Sequence, residues 1–154
     1  MYGPPQPGDD SALHLSASWQ KMFSFGWNEL WLNFHAQSRS GFVLFPEEES
    51  VGDGDLLRGP FGADYARRVA GLDIEFRYSL LRDVFKLGIF HNGAAYGAID
   101  RTARTEKLAL ANAVGAGVHA LIIDEFQLDA YFGVGWGSGG RFDRGAALSI
   151  RQAF

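Results

Sequence analysis

The sequence predicts an all-β fold: a segment of an antiparallel transmembrane β-barrel with about seven or eight strands. Apolar and polar residues alternate with a period of two along most of the chain, as in strands with one apolar and one polar face. Short and long connections follow each other in turn, which is typical of barrels with tight turns at one end and long loops at the other. The 20 glycines and the aromatic content of 14% suit many strands joined by tight turns.

Seven runs of alternating residues mark the predicted strands. They cover 13–20, 30–37, 72–80, 85–92, 108–122, 126–136 and 142–154. A strand that crosses a bilayer at a tilt needs about 9–11 residues, and each run is about that long. The run 108–122 is rich in alanine and leucine, which favour helices, but Gly115 and Gly117 would each destabilise a helix by about 1 kcal/mol. We therefore predict a strand there as well.

The connections divide the chain into a linker and one domain. Residues 1–11 are mostly Pro, Gly and Asp and predict a linker or loop, whereas 12–154 form the barrel domain. Short turns are predicted near 24–28, 82–84 and 123–125, and longer connections at 38–67, 97–106 and 137–141. The segment 38–67, between the second and third strands, is too long for a hairpin turn, and loops of this length are commonly functional.

Several classes of function find no support in the sequence. The formal net charge of -4 argues against a nucleic-acid partner, and the absence of cysteine excludes disulfides and thiolate metal sites. No phosphate loop, nucleotide fingerprint or metal-spaced histidine cluster is present, so we expect no cofactor and no metal. His14 and Ser16 share one face of the first strand, but nothing brings them together with an acid such as Asp73. We therefore expect no catalytic residues and no enzyme.

Charged residues on the polar faces favour a membrane barrel over a soluble sandwich or a lipocalin-like barrel. They lie in mid-strand, where a packed soluble core would not tolerate them unpaired. These residues are Asp73, Glu75, Arg77, Asp129 and Arg151. The strand ends carry aromatic residues, as the girdle at a membrane interface does. These are Trp19, Phe126, Trp136 and Phe154. We expect the bacterial outer membrane as the location and its lipid as a partner.

The last strand carries a more specific pattern. Residues Asp143, Gly145, Leu148 and Ile150 fit the order polar-x-Gly-x-x-apolar-x-apolar, and the sequence stops at Phe154. This pattern resembles the β-signal by which the assembly machinery of the bacterial outer membrane recognises the last strand of a barrel. An edge strand with one apolar face can be captured by strand addition. The resemblance implies that this assembly machinery is a partner.

Four further segments carry a family resemblance. Leu57-Arg58-Gly59-Pro60-Phe61 resembles a Val-Arg-Gly-Phe/Tyr motif with a proline inserted, and Glu75 matches an acidic position in the strand that follows. Residues 89–93 stand where a Phe-x-Asp-x-Gly motif is expected, and 114–118 resemble a Gly-x-Gly strand. Together these motifs resemble the bacterial surface antigen superfamily. That family comprises the barrels of the outer-membrane assembly factor, the translocation and assembly module, and the two-partner-secretion transporters.

The resemblance implies a role for the long loop. In the family this loop folds back into the lumen, so the motif of Arg58, Gly59 and Phe61 would lie inside the barrel. Arg58 would pair with Glu75, because a guanidinium in a polar lumen gains from a bidentate carboxylate. His91 takes the place of a second acid on the wall, and we expect it beside Glu75 as a lumen partner of the loop.

About seven or eight strands are fewer than the family barrel contains, and unpaired strand edges are not stable in lipid. We therefore expect this chain to be the C-terminal part of a longer polypeptide, or to close a barrel with other copies or within a larger complex. The function predicted first is assembly or translocation of proteins at the outer membrane. The alternative is a structural anchor or self-associating subunit, and a small lipid-modifying hydrolase is the third possibility.

Overall fold

A computed structural model of the protein describes residues 13–40, 48–51, 65–82, 84–100, 105–122, 126–137, 140 and 142–152. The described residues form strands and turns. The strands are β1 (Leu13–Phe25), β2 (Asn28–Ser40), β3 (Glu49–Ser50), β4 (Tyr65–Leu81), β5 (Phe85–Asp100), β6 (Thr105–Ile122), β7 (Phe126–Gly137) and β8 (Phe142–Gln152). No helix among these residues has the length and apolar character needed to span a membrane.

All strands belong to one antiparallel sheet. Its order is β1-β2-β4-β5-β6-β7-β8, and the short strand β3 pairs with β4 beyond the last β2–β4 pair, Ser38 with Arg68. The prediction of an all-β, antiparallel fold is confirmed. The sheet is not closed into a barrel, because β1 and β8 form its two edges and do not pair with each other.

The first short turn lies where the sequence predicts it. β1 ends at Phe25 and β2 begins at Asn28, and Gly26 between them has a φ of 65°, which favours glycine. The second short turn follows Leu81, whose carbonyl oxygen accepts a hydrogen bond of 3.1 Å from the backbone N–H of Val84. The predicted turn at 123–125 lies outside the described residues.

Two predicted loops are shorter than the sequence indicates. β4 begins at Tyr65 and β2 continues to Ser40, so both ends of the predicted loop 38–67 belong to strands. β5 runs without a break to Asp100, which pairs with Thr105 at the start of β6. Small or polar residues weaken the apolar alternation at these strand ends. The strands nevertheless stay paired with their neighbours there.

In a soluble protein the buried face of a sheet is apolar and the exposed face is polar. In this sheet the two are reversed. We call the face that carries Glu75 and Asp129 the inner face, and the opposite face the outer face. Both carboxylate side chains are 0% exposed, whereas Leu148 and Ile150 on the outer face are 69% and 66% exposed. Further exposed apolar residues of the outer face are Leu15, Trp19, Leu72, Ile89, Leu108, Leu110 and Phe132.

The strands are staggered. One row of paired residues on the outer face runs across the sheet through Lys21, Leu32, Ile74, His91, Val114, Val134 and Arg144. In β1 this row passes near the short-turn end at Phe25, and in β8 it passes next to the opposite end at Phe142. A progressive shift of this kind is the stagger that tilted barrel strands require.

Residues 48–51, between β2 and β4 in the sequence, lie on the inner face. Val51 is 1% exposed and packs in an apolar cluster with Val69, Tyr96 and Ala109 of the inner face. Beside it, Arg67 Nε donates a hydrogen bond of 3.4 Å to Oε1 of the buried Glu48. Residues 48–51 therefore cover one end of the inner face.

We expect Gly115→Ala to destabilise the fold. A Cβ atom there would lie 2.2 Å from the backbone oxygen of Phe132 and 2.5 Å from Cζ of Phe90, so the β6–β7 pairing would have to shift. The loss of unfolding free energy should be about 1–3 kcal/mol, measured by urea unfolding followed by tryptophan fluorescence. Gly137→Ala is the matched control, because its nearest atom would lie at 3.6 Å. Equal unfolding midpoints for the two variants would contradict this packing.

Candidate functional site

His119 lies at the centre of a chain of buried polar groups on the inner face. Its Nε2 is 2.6 Å from Oε1 of Glu75, and its Nδ1 is 2.7 Å from Oδ1 of Asp129. Both carboxylates are fully buried, and His119 is also buried. Ionised carboxylates only accept hydrogen bonds, so a ring that satisfies both of them donates from both nitrogens, as an imidazolium does.

Two further side chains complete the chain, which we call the His119 network: Glu75, Arg77, His119, Gln127 and Asp129. Arg77 Nη2 donates to Oε2 of Glu75 at 3.1 Å, and Gln127 Nε2 donates to Oδ1 of Asp129 at 2.8 Å. With His119 protonated, two cations face two carboxylates. Such balance is what allows charged groups to remain buried.

The sheet brings these residues together across three strands. His119 and Asp129 are direct partners in the β6–β7 pairing, but Glu75 lies on β4, with β5 in between. Gly88 of β5 leaves the space for this contact. A Cβ atom at Gly88 would lie 2.7 Å from Oε1 of Glu75 and 3.0 Å from Nε2 of His119.

Aromatic rings pack against the His119 network on two sides. Tyr131 packs edge-on against the His119 ring, with ring centroids 5.3 Å apart, and against Phe90 at 5.8 Å. On the β2 side, the guanidinium of Arg77 lies 4.9 Å from the centre of the Trp31 ring. These rings exclude water from the charged groups, which strengthens the electrostatic contacts between them.

Two smaller polar clusters flank the network on the inner face. In the first, Glu29 accepts hydrogen bonds from Lys86 and, at 3.0 Å, from Nε1 of Trp31. In the second, Asp73 accepts from Nδ2 of Asn33 at 2.8 Å and from Nδ2 of Asn92 at 2.7 Å. Both clusters join different strands, so polar contacts connect the inner wall from β2 to β7.

The polar groups of this site bind one another across the strands of the inner face. Both ring nitrogens of His119 are engaged by carboxylates, so the ring is held rather than presented to a substrate. Within the described part of the chain, no three His, Cys, Asp or Glu residues are grouped so that they could hold a metal ion.

Glu75 is on the predicted face, and it contacts His119 and Arg77. Its predicted partner Arg58 lies outside the described residues, as do Gly59 and Phe61 of the same motif. The pairing of Arg58 with Glu75 therefore stays a prediction.

His91 does not join Glu75, contrary to our expectation. Glu75 pairs with Phe90, and because neighbouring residues alternate between faces, His91 points to the outer face, where it is exposed. Asn92 points inward instead and is hydrogen-bonded to Asp73. Asn92 is also the second residue after Phe90, which is the position of the acid in a Phe-x-Asp-x-Gly motif.

The predicted C-terminal signal alternates between the two faces. Asp143 and Gly145 pair with Gly135 and Gly133 of the inner face, whereas Leu148 and Ile150 lie on the outer face. The backbone N–H of Arg144 donates to Oδ1 of Asp143 at 2.8 Å. The last residue of the pattern, Phe154, is outside the described residues.

His119 is not among the site residues that the sequence predicted. The period of two predicts that His119 shares the polar face with Gly115 and Gly117. A hairpin whose turn is predicted at 123–125 pairs residue 119 with residue 129, which is Asp129. That pair could have been found. The contact with Glu75 could not, because it depends on the space left by Gly88.

Comparisons with known proteins give no match. No protein-family model matches the chain, and neither a curated protein nor a solved structure is significantly similar to it.

We expect His119→Ala to lower the unfolding free energy by about 3 kcal/mol or more, because Glu75 and Asp129 would remain buried without their shared cation. His14→Ala removes the same side chain from an exposed position on β1 and should change the unfolding free energy by about 0.5 kcal/mol or less. Chemical unfolding of both variants measures the difference. Removing Glu75 as well, by Glu75→Gln, should restore part of the loss. Equal stability of the two histidine variants would count against a structural role for the network.

Proposed function

We propose that this chain is part of a bacterial outer-membrane β-barrel of the surface antigen type, and that the barrel assembles or translocates proteins. In this proposal the outer face lies against lipid and the inner face lines a polar lumen. One observation carries it: the buried face of the sheet is polar, with Glu75 and Asp129 fully buried, while large apolar side chains stay exposed on the other face.

Free energy favours lipid on the outer face. Removing a leucine or isoleucine side chain from water stabilises a protein by about 1.5–3 kcal/mol, and Leu148 and Ile150 are among many such side chains left exposed. Hydrocarbon would cover all of them at once. A soluble sandwich would instead bury this face and expose the face with the carboxylates.

The charged residues of the outer face also suit a membrane. In the staggered row, Lys21 lies near the short-turn end of the sheet and Arg144 lies near the opposite end. The Lys21 ammonium lies 5.8 Å from the centre of the Phe23 ring. Phe23 is two residues closer to the turn, on the same face. Long cationic side chains at the two borders of a bilayer extend to the head groups in this manner.

The open edges require further strands. Unpaired N–H and C=O groups along β1 and β8 would each be unfavourable in hydrocarbon. Strands from elsewhere in a longer polypeptide, or from other chains, would pair with both edges and complete the barrel.

The transport function rests on the sequence motifs and on the position of residues 48–51. The segment that leads toward Arg58 packs Val51 against the inner face. Arg58 would then lie on the side of the sheet that carries Glu75, as the family resemblance implies. The alternative, a structural anchor, draws support from the His119 network, because side chains that fill and lock the wall suit a barrel without an open path.

Fractionation and conductance test the proposal. We expect the protein to sediment with the outer membrane, to remain there after washing with high salt, and to need detergent for extraction. In planar bilayers a translocation barrel should conduct ions, whereas a filled anchor should not. Recovery of the protein in plain buffer would contradict the membrane location, and a membrane-bound protein without conductance would favour the anchor.

We expect Arg58→Ala to loosen the segment 38–67, because the loop would lose a charge-assisted contact with the wall. Limited proteolysis should then cut the segment about tenfold faster, which corresponds to one such contact. Arg68→Ala is the control, since Arg68 is an exposed arginine of β4 just beyond the segment. Unchanged cleavage of the Arg58 variant would argue against the pairing.

A further inference from the structure

Two polar side chains interrupt the apolar outer face in the middle of β5 and β6. His91 is exposed and Asn112 is half-buried, and both belong to the outer face by their pairing with Ile74 and Gly93. Among the described residues, neither side chain has a hydrogen-bond partner. Unlike Lys21 and Arg144, they lie far from the strand ends and so cannot reach lipid head groups.

The two side chains converge on one point. A Cβ atom at Gly93 would lie 3.4 Å from Oδ1 of Asn112 and 3.8 Å from Cε1 of His91, so both polar ends lie over this glycine. Beside them is a shallow depression of about 300 Å³. Small residues and three larger apolar side chains line it, namely Ala70, Gly93, Ala95, Phe34, Leu72 and Leu110.

Hydrocarbon is a poor environment for this patch. Polar side chains within a membrane are unfavourable unless they find a hydrogen-bonding partner, and small residues let another protein surface approach closely. Both side chains can donate and accept: an asparagine amide does so, and so does a neutral imidazole. His91 of one molecule is therefore complementary to Asn112 of another.

We propose that the patch of His91, Gly93 and Asn112 is a contact between two copies of this chain within the membrane. A two-fold axis near Gly93 would set His91 of each copy against Asn112 of the other, as an isologous interface requires. The apolar side chains that line the depression of one copy would then pack against those of its partner. This inference rests on the proposed function, because only lipid makes the unpaired polar groups unfavourable.

The absence of cysteine from the sequence allows a direct test. Two differently tagged copies, one with His91→Cys and one with Asn112→Cys, are expressed together in the outer membrane and treated with a short bifunctional thiol reagent. We expect the mixed pair to cross-link at least about fivefold more than copies with Leu148→Cys, which is 69% exposed but lies on β8, away from the patch.

The outcomes separate this inference from the proposed function. If the mixed pair cross-links only at the control level while the protein still needs detergent for extraction, the contact is overturned and the membrane location stands. A hydrogen bond between His91 and Asn112 within one copy would give that same result. Recovery of the protein in plain buffer would overturn both proposals.

A substitution tests the hydrogen bonds themselves. Asn112→Leu keeps a side chain of similar size but removes one amide from each copy. Self-association in lipid vesicles, measured by energy transfer, should therefore weaken roughly five- to tenfold. Val118→Leu, six residues further along the same face of β6, is away from the patch and should leave self-association unchanged. Self-association of the Asn112 variant at full strength would overturn the proposed pairing.

Discussion

Neighbouring residues of a strand point to opposite faces of a sheet, and in this sheet the buried face is the polar one. This constraint determines the rest of the structure. Because Glu75 and Asp129 are fully buried, the fold must supply their counter-charges from within the wall, and His119 and Arg77 do so. Because the opposite face is apolar and exposed, it needs a covering other than water.

The inner wall shows how a sheet can hold buried charge. Direct cross-strand pairing joins His119 to Asp129, and the missing side chain of Gly88 lets His119 extend over β5 to Glu75. Charge balance and close packing are therefore coupled, since filling the space at Gly88 would separate the ion pair. The same face also carries the apolar cluster in which Val51, from the connection between β2 and β4, is buried.

The sequence predicted the strands well and the contacts between them only in part. Period-two alternation identified every long strand, and Gly26 marked the first turn, because both signals are local. The ends of β4 and β5 were missed where small residues hide the alternation. A displacement of one residue was enough to assign His91 to the wrong face, since each step along a strand reverses the side chain. The Glu75–His119 contact joins residues two strands apart, which local patterns do not predict.

Labelling of single cysteines along β7 and β8 tests the polarity of the sheet most directly. Cysteine would replace Phe132 and Leu148 of the outer face and their neighbours Tyr131 and Ala147 of the inner face, one at a time, in native membranes. Our account predicts that a fluorophore at the first two positions is quenched by a lipid-soluble quencher and that one at the other two is not. Equal quenching at neighbouring positions, or rapid reaction of the outer-face cysteines with a water-soluble maleimide, would contradict it.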